Sequence, residues 1–167
     1  SPAEILRFAP PVNLERAGAI MAREGLDGIV VSLPINAYHF TGYWPATSRT
    51  GFAPNVTVLL SRDPQQPISI VTAEFTYYYL LADLPYEYPF QWFLFMGPGG
   101  ASLMFEDVGL EPISDGERVR RAAVQAAIAR QPASADSDAA LLKALRATGL
   151  DRGRVAGRQL HEPDDVR

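Results

Sequence analysis

His39 and His161 are the only histidines in this 167-residue chain, and no cysteine accompanies them. A hydrolytic metal centre needs three or more His, Asp or Glu ligands in fixed geometry, and a spacing such as His-Glu-x-x-His places two of them on one helical face. Neither histidine stands in such a spacing. His39 falls within a short helical stretch and reads as a packed or partly exposed imidazole. His161, in Gln159-Leu160-His161-Glu162-Pro163-Asp164-Asp165, reads as part of a solvated terminus. The lack of cysteine removes disulfides, thiolate nucleophiles and Cys-based zinc sites together. No Gly-x-Ser-x-Gly elbow is present. Gly97-Pro98-Gly99-Gly100 lacks the Gly-Lys-Ser/Thr of a phosphate cradle and reads as a loop. Glu106, Asp107 and Glu111 read as solvated charges. These residues give the chain no complete active site.

One segment has a composition suited to recognition. Tyr43-Trp44-Pro45-Ala46-Thr47-Ser48-Arg49-Thr50-Gly51-Phe52 joins aromatics, a proline and an arginine in a loop. The guanidinium of Arg49 is a planar fork that matches a carboxylate bidentately, and neighbouring aromatics exclude water around such a pair. The other reading is an exposed loop whose Trp44 packs on its own domain.

The elements that must position this loop alternate between helix and strand. Asn13 is a good N-cap, and Leu14, Ala17, Ile20 and Met21 fall on one helical face up to Gly25. Gly25 followed by Leu26 predicts a Schellman ending, with Leu26 near Met21. Gly28 to Ser32 reads as a strand buried on both faces, because its β-branched run does not alternate with polar residues. Pro34 and Asn36 start a short helical turn that Gly42 closes. Asn55 to Leu60 and Pro67 to Thr72 read as an antiparallel hairpin about Asp63, Pro64 and Gln65. Ala73 to Ala82, dense in tyrosine, reads as a helix, although its tyrosine run also suits a strand.

Tyr86 to Met96 is the most aromatic stretch, and Pro85 and Pro89 make it an irregular or edge strand at best. Of Phe90, Trp92, Phe93 and Phe95, about half are expected in the core and the rest at an oligomer or interdomain contact. Ser114-Asp115-Gly116-Glu117 fits a capping box opening an alanine-rich helix to about Arg130. A second helix after Pro132 carries Leu141, Leu142 and Leu145 and ends at Gly149, whose successor Leu150 reaches Leu145. Arg154 to Gly157 is a short final strand.

Length and composition match one ordinary globular domain with a real core. The net charge of −4, without a Lys/Arg stripe, argues against nucleic acid, whose binding requires phosphate neutralisation. No apolar run approaches the roughly 18–20 residues that cross a bilayer, and the first residues have no signal-peptide pattern. The expected location is cytoplasmic, with no membrane partner.

Three motifs in order carry a resemblance: Leu26-Asp27-Gly28-Ile29-Val30-Val31, then Asn36-x-Tyr38-x-x-Thr41-Gly42-Tyr43, and later Gly149-Leu150-x-x-Gly153-Arg154-Val155-Ala156. With the Asn13 to Gly25 helix and the hairpin, this succession resembles the amino-terminal domain of the creatinase, Xaa-Pro aminopeptidase and prolidase family. The resemblance implies a three-layer α/β/α fold with a mixed, ribonuclease H-like sheet, and that fold name carries no nuclease activity. It also implies a non-catalytic role in substrate access and subunit contacts, within a homodimer that handles a peptide or small-molecule substrate. The corresponding loop in similar proteins reaches the catalytic cleft of a neighbouring subunit, which makes Tyr43, Trp44 and Arg49 the implied substrate-binding residues.

The family's metal ligands, two aspartates, a histidine and two glutamates, lie in a carboxy-terminal catalytic domain and have no counterparts here. No cofactor is therefore expected in this chain, and manganese, cobalt or zinc is expected in that other domain. Residues 1–167 are expected to form a single amino-terminal domain, a fragment without its catalytic half. The alternatives are the same domain from a creatinase-like amidinohydrolase, and a stand-alone ligand- or protein-binding domain that shares the fold.

Overall fold

The computed structural model describes residues 12–42, 56–74, 76–77, 90–96, 114–130 and 132–157. Helix α1 (Leu14–Glu24) begins where the Asn13 side chain accepts a hydrogen bond from the Arg16 amide at 2.9 Å. It ends in the predicted Schellman arrangement: Gly25 takes φ 64°, its amide donates to Ala22, and the Leu26 amide donates to Met21 at 2.8 Å. A side chain at Gly25 would be strained in that left-handed backbone. The turn delivers the chain into β1 (Gly28–Val31). Pro34 then occupies the first turn of α2 (Pro34–Thr41), where a missing amide hydrogen costs nothing. Inside α2, the buried Thr41 hydroxyl donates back to the Ala37 carbonyl at 2.7 Å.

Strands β2 (Val56–Ser61) and β3 (Ser69–Ala73) form the expected antiparallel hairpin. Asp63 shapes its turn: its carboxylate accepts from the Gln65 amide and its carbonyl accepts from the Gln66 amide. The described elements that follow are β4 (Gln91–Phe95), helix α3 (Asp115–Arg130), helix α4 (Ser137–Ala147), a 3₁₀ turn over Leu150–Arg152, and β5 (Val155–Gly157). The strands make one mixed sheet in the order β4-β3-β2-β1-β5. β1 and β5 are parallel, β3 and β4 are parallel, and β2 runs antiparallel to both of its neighbours. All four other strands therefore point their carboxyl ends the same way.

Alternation along the strands separates two cores. On one face Val31, Val56, Val58, Leu60 and Ile70 meet Met21 of α1 and Ala37 of α2. On the other, Leu59, Val71, Ala73, Phe93 and Phe95 meet Ala140 and Ala144 of α4. Both alanines are fully buried, so α4 approaches the sheet closely along a side without bulk. The architecture is a mixed α/β sheet with apolar cores on both faces. Among the described residues no helix is long and apolar enough to cross a membrane.

Several details differ from the sequence reading. The buried stripe of α1 is narrower, since Leu14 and Ile20 are exposed while Met21 is buried. Leu142 likewise faces outward on α4, whereas Leu141 and Leu145 pack against the core. Ala73 closes β3 instead of opening a helix, and helical backbone begins at Glu74. The aromatic stretch is an edge strand, as Pro85 and Pro89 suggested, yet it is regular over Gln91–Phe95 because both prolines precede its ladder. Its rings serve the fold more fully than expected: Phe90, Phe93 and Phe95 are buried, and the half-buried Trp92 packs on the first core. Trp92 also meets Tyr77 edge-on, with ring centroids 4.6 Å apart.

Candidate functional site

Tyr43, Trp44 and Arg49 lie outside the described residues, as does His161. The structure does place the two points from which their segment departs and to which it returns. α2 ends at Thr41 and is capped by Gly42, and β2 begins at Val56. Val31, the last residue of β1, pairs with Val58 near the start of β2. The chain thus re-enters the sheet at Val56 beside the carboxyl end of β1, the same end at which β3, β4 and β5 finish. In open α/β sheets the carboxyl ends of parallel strands are where ligand crevices form.

Side chains from four distant segments converge at that end. Ser32 follows β1, Thr57 is the second residue of β2, Phe95 closes β4, and Ser137 and Asp138 belong to the first turn of α4. Together with Val71 and Leu141 they line a shallow cleft of about 190 Å³. Asp136 caps the helix above it, accepting from the Ala139 amide at 2.8 Å. The cleft is smaller than the roughly 300 Å³ at which small-molecule pockets usually begin. It offers hydroxyl groups and one carboxylate, a surface able to hydrogen-bond a passing chain without enclosing it. His39 and Tyr38 lie exposed on α2, whose Ala37 packs on the other face of the sheet, with their rings edge-on at 5.9 Å.

Two motifs of the sequence meet at the opposite end. The Asp27 carboxylate accepts from the Arg154 backbone amide at 2.9 Å and from the Arg62 guanidinium at 2.9 Å. The Asp27 backbone completes the junction, donating to the Arg154 carbonyl and accepting from the Arg62 amide. A Cβ on Gly28 would stand 2.7 Å from the Leu150 methyls and 2.9 Å from the Leu60 carbonyl oxygen. A Cβ on Gly153 would stand 3.0 Å from that of Asp27. Leu-Asp-Gly after α1 and Gly-Leu-x-x-Gly-Arg before β5 are therefore two halves of one joint. Nothing in this joint is arranged for chemistry.

Sequence reasoning also passed over a polar run at the end of β3. Glu74, Thr76 and Tyr77 are all buried. Burial raises the Tyr77 phenol above its ordinary value of 10.0, partly offset by the Arg130 guanidinium. Thr72 and Ser69, both fully buried, have no hydrogen-bond partner for their hydroxyls among the described residues. The available signal was a set of polar residues, Ser69, Thr72, Glu74 and Thr76, inside an otherwise apolar stretch. Among the described residues no three His, Asp or Glu side chains gather into a set able to hold a metal ion.

No family model matches this chain, and neither a curated protein nor a solved structure matches it.

Proposed function

We propose that this chain is the non-catalytic amino-terminal domain of a metallohydrolase resembling the Xaa-Pro aminopeptidases and prolidases. The observation that carries the reading is the joint at Asp27. Two motifs on which the resemblance rests lie more than a hundred residues apart in sequence, and they fit each other residue by residue, Asp27 to Arg154 and Gly28 to Leu150. Motifs that matched only by chance would have no reason to be partners. The mixed sheet with an apolar core on each face supports the finer assignment to a three-layer, ribonuclease H-like arrangement.

On this reading the chain performs no bond cleavage. Its 43–55 segment, which leads into β2, borders the cleft of a catalytic domain in a cytoplasmic homodimer. There Arg49 pairs with a substrate carboxylate, and Tyr43 and Trp44 keep water from the pair. Manganese, cobalt or zinc belongs to the catalytic domain. The test is kinetic. In the protein that carries the catalytic domain, Arg49→Ala is expected to lower kcat/KM for an Xaa-Pro peptide by roughly 10- to 150-fold, the effect of losing a charged hydrogen bond. Thermal melting should stay unchanged. Unaltered kinetics would remove Arg49 from the site, and failure to hydrolyse any Xaa-Pro peptide would remove the peptidase reading.

A further inference from the structure

Between α1 and the turn joining β2 to β3 lies a cleft of about 330 Å³, within the roughly 300–1,000 Å³ typical of small-molecule sites. Its floor is apolar, made by the buried side chains of Met21, Leu60 and Ile68. Gly18, in the middle of α1, forms part of its wall, and a Cβ added there would meet no atom within 4 Å. Glycine is a poorer helix former than alanine, and no neighbour demands it at this position. Its effect is to keep the cleft open.

The rim is acidic. Glu15 and Asp63 both border the opening, and Glu15 has no hydrogen-bond or ion-pair partner among the described residues. Arg62, the one cation among the lining residues, is already engaged by Asp27 at 2.9 Å. The Asp63 carboxylate accepts from the Gln65 amide, which leaves Glu15 as the free acceptor at the rim, and an apolar floor beneath two carboxylates complements a molecule with a hydrophobic body and a positive end. We propose that this cleft binds a small organic cation, its aliphatic part on Met21, Leu60 and Ile68 and its ammonium group at the carboxylates of the rim. This site is built from α1, the end of β2 and the turn that follows it, and it does not depend on the peptidase reading.

Titration of the full chain with n-hexylamine, followed by the amide signal of Gly18 and the methyl signal of Met21, tests it. Hexanoate and n-hexanol serve as parallel probes with a negative and a neutral end. Saturable shifts at both residues are expected with hexylamine, weaker ones with hexanol, and the weakest with hexanoate. Glu15→Gln should weaken hexylamine binding about three-fold, the scale of an exposed ion pair. Gly18→Leu should abolish the shifts by filling the cleft. No saturable shift at Gly18, an equal response to hexanoate, or unchanged binding in Glu15→Gln would overturn the proposal.

Discussion

Asp27 engages the strands on both sides of β1, accepting from the backbone at the start of β5 and from the Arg62 side chain at the end of β2. These two contacts differ in kind. The bond from the Arg154 amide ties the Asp27 carboxylate to the backbone entering β5, whereas the Arg62 pair joins two side chains that are each over 40% exposed. Charged hydrogen bonds exceed exposed ion pairs in net worth. Asp27→Ala is accordingly expected to cost about 1–2 kcal/mol in urea unfolding, and Arg62→Ala less than about 1 kcal/mol. Equal losses would mean that the side-chain pair, not the backbone anchor, holds the joint. A second residue should respond in the opposite direction. The Thr72 hydroxyl is fully buried without a partner among the described residues, and valine has nearly the same shape. Thr72→Val should raise stability by about 1 kcal/mol, since a desolvated hydroxyl is removed and no bond is lost. A loss of stability in the same urea experiment would reveal a role for that oxygen.

Among the elements, α4 depends most plainly on one local interaction. Its helix spans only 11 residues and supplies Ala140 and Ala144 to the second core, so its first turn must be held for that face to dock. Replacing the N-cap Asp136 with alanine should cost about 1 kcal/mol, readable as a lower melting temperature. Unchanged melting would show that packing alone sets the helix start. The ends of helices were the most legible features of the sequence, because Asn13, Gly25-Leu26 and Gly149-Leu150 act through bonds within a few residues. Facing was less legible. Leu14, Ile20 and Leu142 have the right character for a core, yet they are exposed because the sheet meets only one side of each helix. Pro85 and Pro89 marked Gln91–Phe95 as an edge strand, which it is, but hid its regularity, since their effect stops before the ladder begins.

At the scale of the whole molecule, one antiparallel strand among four parallel ones puts four strand carboxyl ends and the start of β2 on one side. That placement was not legible in the sequence, because it depends on the sheet order. The hairpin and the short terminal strand were readable, but nothing local states that β5 docks beside β1 or that β4 docks beside β3. The cleft formed by Ser32, Thr57, Ser137 and Asp138 was invisible for the same reason: its residues meet only through the sheet. Arg49 was singled out by the chemistry of its side chain together with a resemblance, so its role rests on what the domain belongs to. The most direct measurement is the gene sequence beyond the codon for Arg167. The account predicts a continuous reading frame into a further domain carrying two aspartates, a histidine and two glutamates as metal ligands. A stop codon immediately after Arg167, or a following domain without those five ligands, would contradict it.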